Sequence, residues 1–312
     1  MKSIPLANTS FAQGEAVLIT GCSSGIGRAL ALYLARHGFI VFATVRKEID
    51  AEDLRRLNEP NLIPICPLDL AKREQIPVVV EMVTRELERR GKRRLYALIN
   101  NAGGGTVAPV ELMDLDKFQI EVQARIVGAA AMVQAFLPLI RQGRGRILWI
   151  ATPATIPTPY VASIHACDFA INCLARTLDL ELKPWGIPSV LIRCGGIKTP
   201  AGLRTTADVA AILRTAPADR AALYERRLQA WGKDMAEFDQ KRTEADRVAE
   251  VVYRVLSTRH PKRRYSIGYM AGAAALLEAL PQSWADWILS KRFSASNSAS
   301  APSGQRRSTR RR

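Results

Sequence analysis

Cysteine is scarce in this chain of 312 residues, and the five that occur are widely scattered. A disulfide-stabilised fold needs many closely spaced cysteines, and a structural zinc site usually contains a C-x-x-C pair, which this sequence lacks. We therefore expect a reducing, intracellular setting and no bound metal. The cysteines are Cys22, Cys66, Cys167, Cys173 and Cys194.

Long apolar runs are also missing. A membrane-spanning helix needs about 18 consecutive apolar residues, and the longest candidate, Ala129 to Ile140, is shorter. The first residues of the chain lack the apolar core of a signal peptide. Together these absences predict a cytoplasmic protein that is not an integral membrane protein.

Acidic residues are outnumbered, with 29 Asp and Glu against 45 Lys and Arg, for a formal net charge of +16. Six of the arginines lie between Arg292 and the end of the chain, in a Ser-, Ala- and Pro-containing segment without acids. This composition is typical of disordered segments, so we predict a disordered basic tail over residues 294–312. Nucleic-acid binding is not expected, because no recognised reading element accompanies the charge.

Apolar strand-like runs alternate with helix-like runs along most of the chain. Strands separated by helices, and apolar throughout, indicate a parallel sheet covered on both faces. The sequence therefore predicts an α/β fold over residues 1–293, a single doubly wound parallel sheet of Rossmann type with a C-terminal helical extension. The predicted strands are residues 16–20, 39–45, 61–66, 94–100, 146–151, 188–193 and 264–267, and the longest predicted helices are residues 113–141 and 161–182.

The last apolar stretch before the tail contains Pro281 and two tryptophans, Trp284 and Trp287. One interpretation is a C-terminal helix that docks on the core. The alternative is a helix that lies on a membrane surface, with Lys291 and Arg292 beside the tryptophans, and so makes the protein peripheral to a membrane. The sequence favours the first interpretation and leaves the second open.

Three glycines, Gly21, Gly25 and Gly27, follow the first strand and open directly into a helix. Such a turn lets the backbone approach a pyrophosphate, and the helix N-terminus offers N–H groups to an anion. A plain tight turn would use the same residues. Their position in the first β-α-β unit favours phosphate binding.

The second predicted strand ends in Val45-Arg46-Lys47. A dinucleotide site that selects NAD usually has an acidic residue here, which binds the ribose 2′-hydroxyl. Arginine instead suits a 2′-phosphate, and Arg28 lies just after the glycine turn. We therefore expect NADP(H) in preference to NAD(H).

The glycine spacing, with Asp69 after the third strand and Asn100-Asn101-Ala102-Gly103 after the fourth, resembles the short-chain dehydrogenase/reductase family. The likeness is close over residues 16–199 and weaker to residue 293, where the ending is similar to hydroxysteroid and retinol dehydrogenases. It implies a substrate-binding segment at about 195–260, a small lipophilic substrate and a homodimer or homotetramer. It also implies a cofactor site formed by Gly21, Ser23, Gly25, Ile26, Gly27, Arg46, Asp69, Leu70, Asn101, Ala102, Gly103 and Thr199.

The family's chemistry uses an Asn, a Ser, a Tyr and a Lys, and this chain departs from the pattern. Tyr160 aligns with the tyrosine of Tyr-x-x-x-Lys, and Ile164 stands in place of the lysine. The serine aligns with Ala151 or Thr152, and the asparagine aligns with Arg125. The resemblance therefore gives three candidate catalytic residues, Tyr160, Thr152 and Arg125.

Loss of the lysine weakens proton transfer. Without a neighbouring cation a tyrosine titrates near pH 10 and is a poor base, whereas its acid role in carbonyl reduction suffers less. Arg125 is a permanent cation that could polarise a carbonyl, and Asp168 is a candidate partner for it. The first hypothesis is an NADP(H)-dependent oxidoreductase that reduces a carbonyl on a lipophilic or polycyclic molecule. The alternative is a catalytically inactive or non-redox binding or regulatory module with the same fold.

Overall fold

Seven parallel strands form the central sheet of the protein, whose computed structural model describes residues 13–153 and 157–298. The order across the sheet is β3-β2-β1-β4-β5-β6-β9, and two short strands, β7 and β8, pair outside it. This confirms the predicted doubly wound α/β fold. The strands are β1 (Ala16–Ile19), β2 (Ile40–Thr44), β3 (Leu62–Ile65), β4 (Ala97–Asn100), β5 (Arg146–Ala151), β6 (Ser189–Cys194), β7 (Ile197–Lys198), β8 (Thr243–Glu244) and β9 (Arg264–Ile267).

The strands are apolar because both faces of the sheet are covered. Every residue of β1, β2 and β4 is buried. An all-parallel sheet requires this cover, since each crossover connection carries a helix across one of the faces. Each predicted strand end lies within three residues of the observed one.

Helices cover the sheet in two layers. The apolar core on one face joins α1 and α9, and the core on the other face joins α3, α5 and α6. A π-helical turn, Gln123–Gly128, connects α4 to α5. The helices are α1 (Gly25–Arg36), α2 (Glu48–Arg55), α3 (Ile76–Arg89), α4 (Leu115–Val122), α5 (Ala129–Gln142), α6 (Ala162–Glu181), α7 (Thr205–Thr215), α8 (Ala218–Gln240), α9 (Ala245–Leu256), α10 (Ala271–Leu277) and α11 (Gln282–Ser298).

The helical run Leu115–Gln142 is long and apolar enough to cross a membrane by length and composition. Polar residues interrupt this run, so it does not contain a long stretch of consecutive apolar residues. In the structure Met132, Phe136 and Ile140 are fully buried in the core beside the sheet. Leu115 and Ile120, in the first half of the run, are 70% and 58% exposed, so the core accounts for the hydropathy of the second half only.

The segment after β6 forms an apolar cover beside the start of α6. Within it α7 packs against α8, and Leu228 and Trp231 of α8 are buried. These two side chains meet Val107 and Val209, and Tyr160 packs against the group. We call this set of five residues the cover cluster.

The C-terminal extension consists of α10 and α11. Arg193 on β6 forms a buried ion pair with Glu278, directly after α10. By contrast, none of residues 282–291 is buried, and Trp284 and Trp287 are 64% and 58% exposed. The expectation that the tryptophans dock on the core is therefore wrong. Most of the large apolar residues of this helix lie in its first turns, and they are too few to form a buried face along the whole helix.

The boundary of the predicted disordered tail also differs from the structure. Helix α11 continues to Ser298, five residues into the segment 294–312. Adding residues to an existing helix closes one hydrogen bond for each residue and needs no new nucleus, which explains the extension. The rest of the predicted tail, residues 299–312, lies outside the described residues.

Candidate functional site

The turn between β1 and α1 brings its glycines against neighbouring backbone. Gly21 has a φ of +73°, and a Cβ there would lie 2.8 Å from the Cα of Ala102. A Cβ at Gly27 would lie 2.1 Å from the carbonyl oxygen of Gly21. Within the described chain, the first turn of α1 contains no acidic side chain. Its N–H groups and partial positive charge therefore favour an anion.

Asn101 locks this turn to the loop after β4. Its Nδ2 donates hydrogen bonds to the carbonyl oxygens of Thr20, at 2.9 Å, and Gly21, at 3.1 Å. The Oγ1 of Thr20 accepts from the N–H groups of Asn101 and Ala102, both at 3.0 Å. The Asn-Asn-Ala-Gly turn is thus fixed beside β1, where successive crossovers lead in opposite directions and open α/β sheets bind ligands.

Charged side chains follow β2 and β3 at the same edge of the sheet. Arg46 and Lys47 are exposed directly after β2, and Arg28 is half-buried in α1. Asp69 lies beyond β3, where its Oδ1 accepts a hydrogen bond from the N–H of Ala71 at 3.1 Å. Two exposed cations therefore follow β2 at the edge of the sheet where the cofactor site is predicted.

The other predicted cofactor residues lie around the same edge. Ser23 is exposed and Ile26 half-buried at the start of α1, whereas Leu70 is buried after β3. Gly25 has a φ of +58°, and a Cβ there would lie 3.2 Å from Cγ2 of Thr199. A dinucleotide fits this crowded, glycine-lined edge, and the contact of each residue with it stays a prediction.

Arg125 lies in the π-helical turn between α4 and α5. Such turns are rare and are frequent at functional sites. Its side chain is only 7% exposed, and Nη1 donates a hydrogen bond to the carbonyl oxygen of Ile164 at 3.2 Å. The guanidinium group is therefore directed at α6.

The carboxylate of Asp168 on α6 balances this charge. Asp168 is fully buried, and its Oδ1 accepts a hydrogen bond from Nη2 of Arg125 at 2.5 Å. Thr152, directly after β5, donates from Oγ1 to Oδ2 of Asp168 at 2.6 Å. The structure confirms the hypothesis that Asp168 pairs with Arg125. It also directs the hydroxyl proton of Thr152 toward this carboxylate.

The Nε donor of Arg125 is buried and has no hydrogen-bond acceptor among the described residues. A Cβ built on Gly103 would lie 3.3 Å from this nitrogen, which places Nε beside the Asn-Asn-Ala-Gly turn. The Nε atoms of Arg146 and Arg193 also have no acceptor there, so what distinguishes Arg125 is its place beside this turn. A buried donor without an acceptor commonly serves a water, an ion or a ligand.

Glu121, which the sequence analysis missed, lies near this ion pair. Burial raises the pKa of the Glu121 carboxyl, although a hydrogen bond from Ser163 and the positive charge of Arg125 partly lower it. The sequence offered one sign of this contact, because Glu121 lies four residues before Arg125 and side chains at that spacing are neighbours on a helix. Arg125 therefore has two acidic neighbours, one from α4 and one from α6.

Tyr160 lies apart from this network. It precedes α6 with a φ of +69°, and its carbonyl oxygen accepts a hydrogen bond from the N–H of Ala108 at 2.7 Å. Its ring packs edge-on against Trp231, with 5.7 Å between ring centroids. Burial raises the pKa of the Tyr160 phenol, so the group is neutral near pH 7. The structure joins Thr152 and Arg125 through Asp168 but places Tyr160 in the cover cluster.

Helix α6 begins at Ala162, two residues beyond Tyr160, so Tyr160 does not lie on the helix that carries Ile164. The carbonyl group of Ile164 and, one turn later, the side chain of Asp168 face Arg125. The Ile164 side chain fills the space at Gly105, where a Cβ would lie 2.0 Å from Cγ1. Since Tyr-x-x-x-Lys also spans one turn, this geometry makes Ile164 and Asp168, rather than Tyr160 and Ile164, the candidates for the tyrosine and lysine positions.

The sequence profile of the short chain dehydrogenase family matches residues 15–210. The chain belongs to this family. Human 11-beta-hydroxysteroid dehydrogenase type 2 is 32% identical over 271 residues, which is 83% of this chain and 65% of that protein. Estradiol 17-beta-dehydrogenase 2 of Rattus norvegicus is 34% identical over 190 residues, or 59% of this chain and 49% of that protein. The chain thus spans about half to two thirds of the length of these relatives.

Solved structures of short-chain dehydrogenases have the same fold. One from Burkholderia cenocepacia, in complex with NADP, has a TM-score of 0.68 and 20% identity over 89% of this chain and 98% of that chain. A 3-ketoacyl-(acyl-carrier-protein) reductase from Brucella melitensis, complexed with NADH, has a TM-score of 0.65 and 20% identity over 82% of this chain and 97% of that one. These similarities confirm the Rossmann-type architecture.

Replacing Asp168 with asparagine leaves the Arg125 guanidinium buried without its main counter-ion. Breaking one side of a buried ion pair typically costs about 3–5 kcal/mol. Urea denaturation of Asp168→Asn should therefore show a loss of that order in the free energy of unfolding. Thr152→Val removes one hydrogen bond to the same carboxylate and should lose about 1–2 kcal/mol.

The matched control for this series is the double variant Arg125→Met/Asp168→Leu, which removes both charges and keeps side-chain volume. It should recover most of the stability lost by Asp168→Asn, because neither member of the ion pair is left buried without the other. A loss below about 1 kcal/mol in Asp168→Asn would contradict a buried, dependent ion pair.

Proposed function

We propose that this protein is an NADP(H)-dependent oxidoreductase that reduces a carbonyl group on a lipophilic, steroid-like molecule. The observation that carries the proposal is the buried Nε of Arg125 beside Gly103, in a site where the glycine turn and the Asn-Asn-Ala-Gly turn are both preserved. Family resemblance puts the latter turn next to the nicotinamide ribose. A permanent cation with one available donor is thereby brought to the reacting end of the cofactor site.

The preference for NADP(H) rests on charge at the opposite end of the same site. Arg46 and Lys47 are exposed after β2, and the half-buried Arg28 lies on α1. An arginine can bind a phosphate through two parallel charge-assisted hydrogen bonds, which a ribose hydroxyl cannot accept equally well. The ribose 2′-phosphate is the group that these side chains suit.

The bound dinucleotide supplies the hydride. The residues of the chain supply electrostatic stabilisation, because negative charge that develops on a substrate oxygen near Nε of Arg125 gains a charge-assisted hydrogen bond. The ion pair with Asp168 fixes the guanidinium group in advance, so little reorganisation is needed. An arginine does not give up its proton near neutral pH, so the proton that completes the reduction comes from water.

A lipophilic substrate is supported by two observations. The relatives are named for polycyclic, largely apolar substrates, hydroxysteroids and estradiol. In this chain the loop that contacts Ile164 through Gly105 continues into Val107 of the cover cluster, where Trp231 and Leu228 are buried. An apolar surface therefore adjoins the ion pair, as apolar ligand sites with a few polar groups require.

A second candidate function is a dinucleotide-binding module that transfers no hydride. The observation that favours it concerns Ile164 and Asp168, the candidates for the tyrosine and lysine positions. The Ile164 side chain has no proton to donate, and the Asp168 carboxylate is already paired with Arg125. The hydroxyl of Thr152 is likewise directed to Asp168. This module would bind NADPH normally, but it would not oxidise NADPH with any carbonyl substrate.

A homo-oligomer is part of the proposed function. Large apolar side chains are exposed on two neighbouring helices, namely Leu115 and Ile120 on α4 and Phe169 and Leu180 on α6. Exposed apolar groups of this size commonly mark an interface. We propose that a second copy of the chain covers them.

Titration with NADPH and NADH tests the cofactor assignment. Because a ligand of the native state raises its stability, saturating NADPH should raise the melting temperature, and NADH should bind at least tenfold more weakly. Arg46→Asp should weaken NADPH binding by about ten- to a hundredfold, since it removes a charge-assisted contact of about 1.5–3 kcal/mol.

The control for Arg46→Asp makes the same charge change at the opposite edge of the sheet. Arg259 is exposed shortly before β9, so Arg259→Asp should leave both affinities within about twofold. Equal weakening by the two variants would show a general charge effect and refute a 2′-phosphate contact. Absence of NADPH binding to the unaltered protein would refute both candidate functions.

Measuring the turnover of variants shows whether Arg125 or Tyr160 acts on the substrate. With NADPH and a panel of ketosteroids, Tyr160→Phe should keep kcat/KM within about threefold, because Tyr160 lies outside the ion-pair network. Arg125→Lys keeps the charge but removes the Nε donor, and should lower kcat by about ten- to a hundredfold.

Two results would contradict this assignment. A loss of about a hundredfold in Tyr160→Phe, with little loss in Arg125→Lys, would restore Tyr160 as the reacting group. NADPH binding without oxidation by any carbonyl compound in the panel would exclude the oxidoreductase and support the binding module.

A further inference from the structure

We propose that the first turns of α11, together with the basic end of the chain, bind the surface of an anionic lipid membrane. The surface consists of Trp284, Trp287, Ile288 and Lys291. These positions have the spacing i, i+3, i+4 and i+7, so they share one face of the helix. Asp286, the acidic residue within these turns, lies about 150° from the centre of that face by helix geometry.

Two large rings are exposed together on this face. Trp284 and Trp287 are 64% and 58% exposed, whereas Trp149 and Trp231 are 1% and 7% exposed and Trp185, at 46%, is covered on one side by Arg141. Large apolar groups that remain exposed together mark a site for a partner. Tryptophan favours the boundary between lipid chains and water, because its ring is apolar and its N–H group is polar.

Positive charge accompanies the tryptophans. Nζ of Lys291 lies 4.2 Å from the ring centroid of Trp287, so a cation sits beside the apolar face. From Arg292 to the end, the sequence contains six arginines and no acidic residue. Basic segments next to an amphipathic helix are attracted to anionic lipids, and each Lys or Arg adds to the attraction.

The same charges argue against a second copy of the chain as the occupant. A twofold contact between two such faces would bring Lys291 and the basic end of each chain toward their equivalents in the other. Like charges across an interface disfavour it, whereas an anionic headgroup layer neutralises all of them. An anionic membrane therefore satisfies both the apolar and the charged part of the surface.

Co-sedimentation of the full chain with vesicles tests this proposal. Vesicles that contain phosphatidylserine should bind the protein at least tenfold more tightly than vesicles of phosphatidylcholine alone, and added salt should weaken the binding. Trp284→Ser/Trp287→Ser should reduce the affinity for phosphatidylserine vesicles at least tenfold. Replacement of the last five arginines by glutamine should remove most of the difference between the two lipids.

The matched control is Trp185→Ser, because Trp185 is 46% exposed and lies beside Arg141, outside α11. It should bind vesicles as the unaltered protein does. NADPH-induced stabilisation should be the same in all variants, which shows that they are folded. As a measurement free of variants, brominated lipids should quench the tryptophan fluorescence of the unaltered protein.

Four outcomes would overturn the proposal. Three of them are equal binding to both kinds of vesicle, equal loss in Trp185→Ser and in the double variant, and no quenching by brominated lipids. The fourth is a smaller molecular mass of the double variant by analytical ultracentrifugation with unchanged vesicle binding, which would assign the face to a second copy.

Discussion

An all-parallel sheet must bury both of its faces and must send the carboxyl end of every strand to the same edge. In this chain that constraint brings the glycine turn after β1, the cations after β2, the Asn-Asn-Ala-Gly turn after β4 and Thr152 after β5 to one edge. Asn101 holds the first and third of these together through its hydrogen bonds to Thr20 and Gly21. The cofactor site therefore depends on strand order more than on any single side chain.

The centre of the candidate site contains a buried ion pair. Arg125 contributes the cation from the π-helical turn, and Asp168 contributes the carboxylate from α6. The two charges compensate, because either charge alone would be buried without its main partner. The pairing holds the guanidinium group in a fixed orientation beside the predicted cofactor site.

Much of the fold could be predicted from the sequence, because a parallel strand buried on both faces is a short apolar run that needs no information from distant residues. The pairing of Arg125 with Asp168 was also accessible, from helix periodicity and the demand of a buried charge for a partner. The expectation that Tyr160 lies with Thr152 and Arg125 failed for a different reason. The motif Tyr160-Val161-Ala162-Ser163 resembles the family's sequence, yet Ser163 is tied to the backbone of Thr106 and Tyr160 is packed on Trp231, so α6 starts too late to include Tyr160.

The sequence by itself determined the doubly wound sheet, the glycine turn and the positive charge directly after β2, since each rests on local composition and spacing. Only the tertiary structure decided which side chains meet in the site and which face of α11 stays exposed. The unpaired Nε of Arg125, the desolvated Glu121 and the separation of Tyr160 from Thr152 all depend on how α4, α6 and α8 pack. Local sequence fixes where a helix turns, but contacts between elements distant in the chain fix what each turn faces.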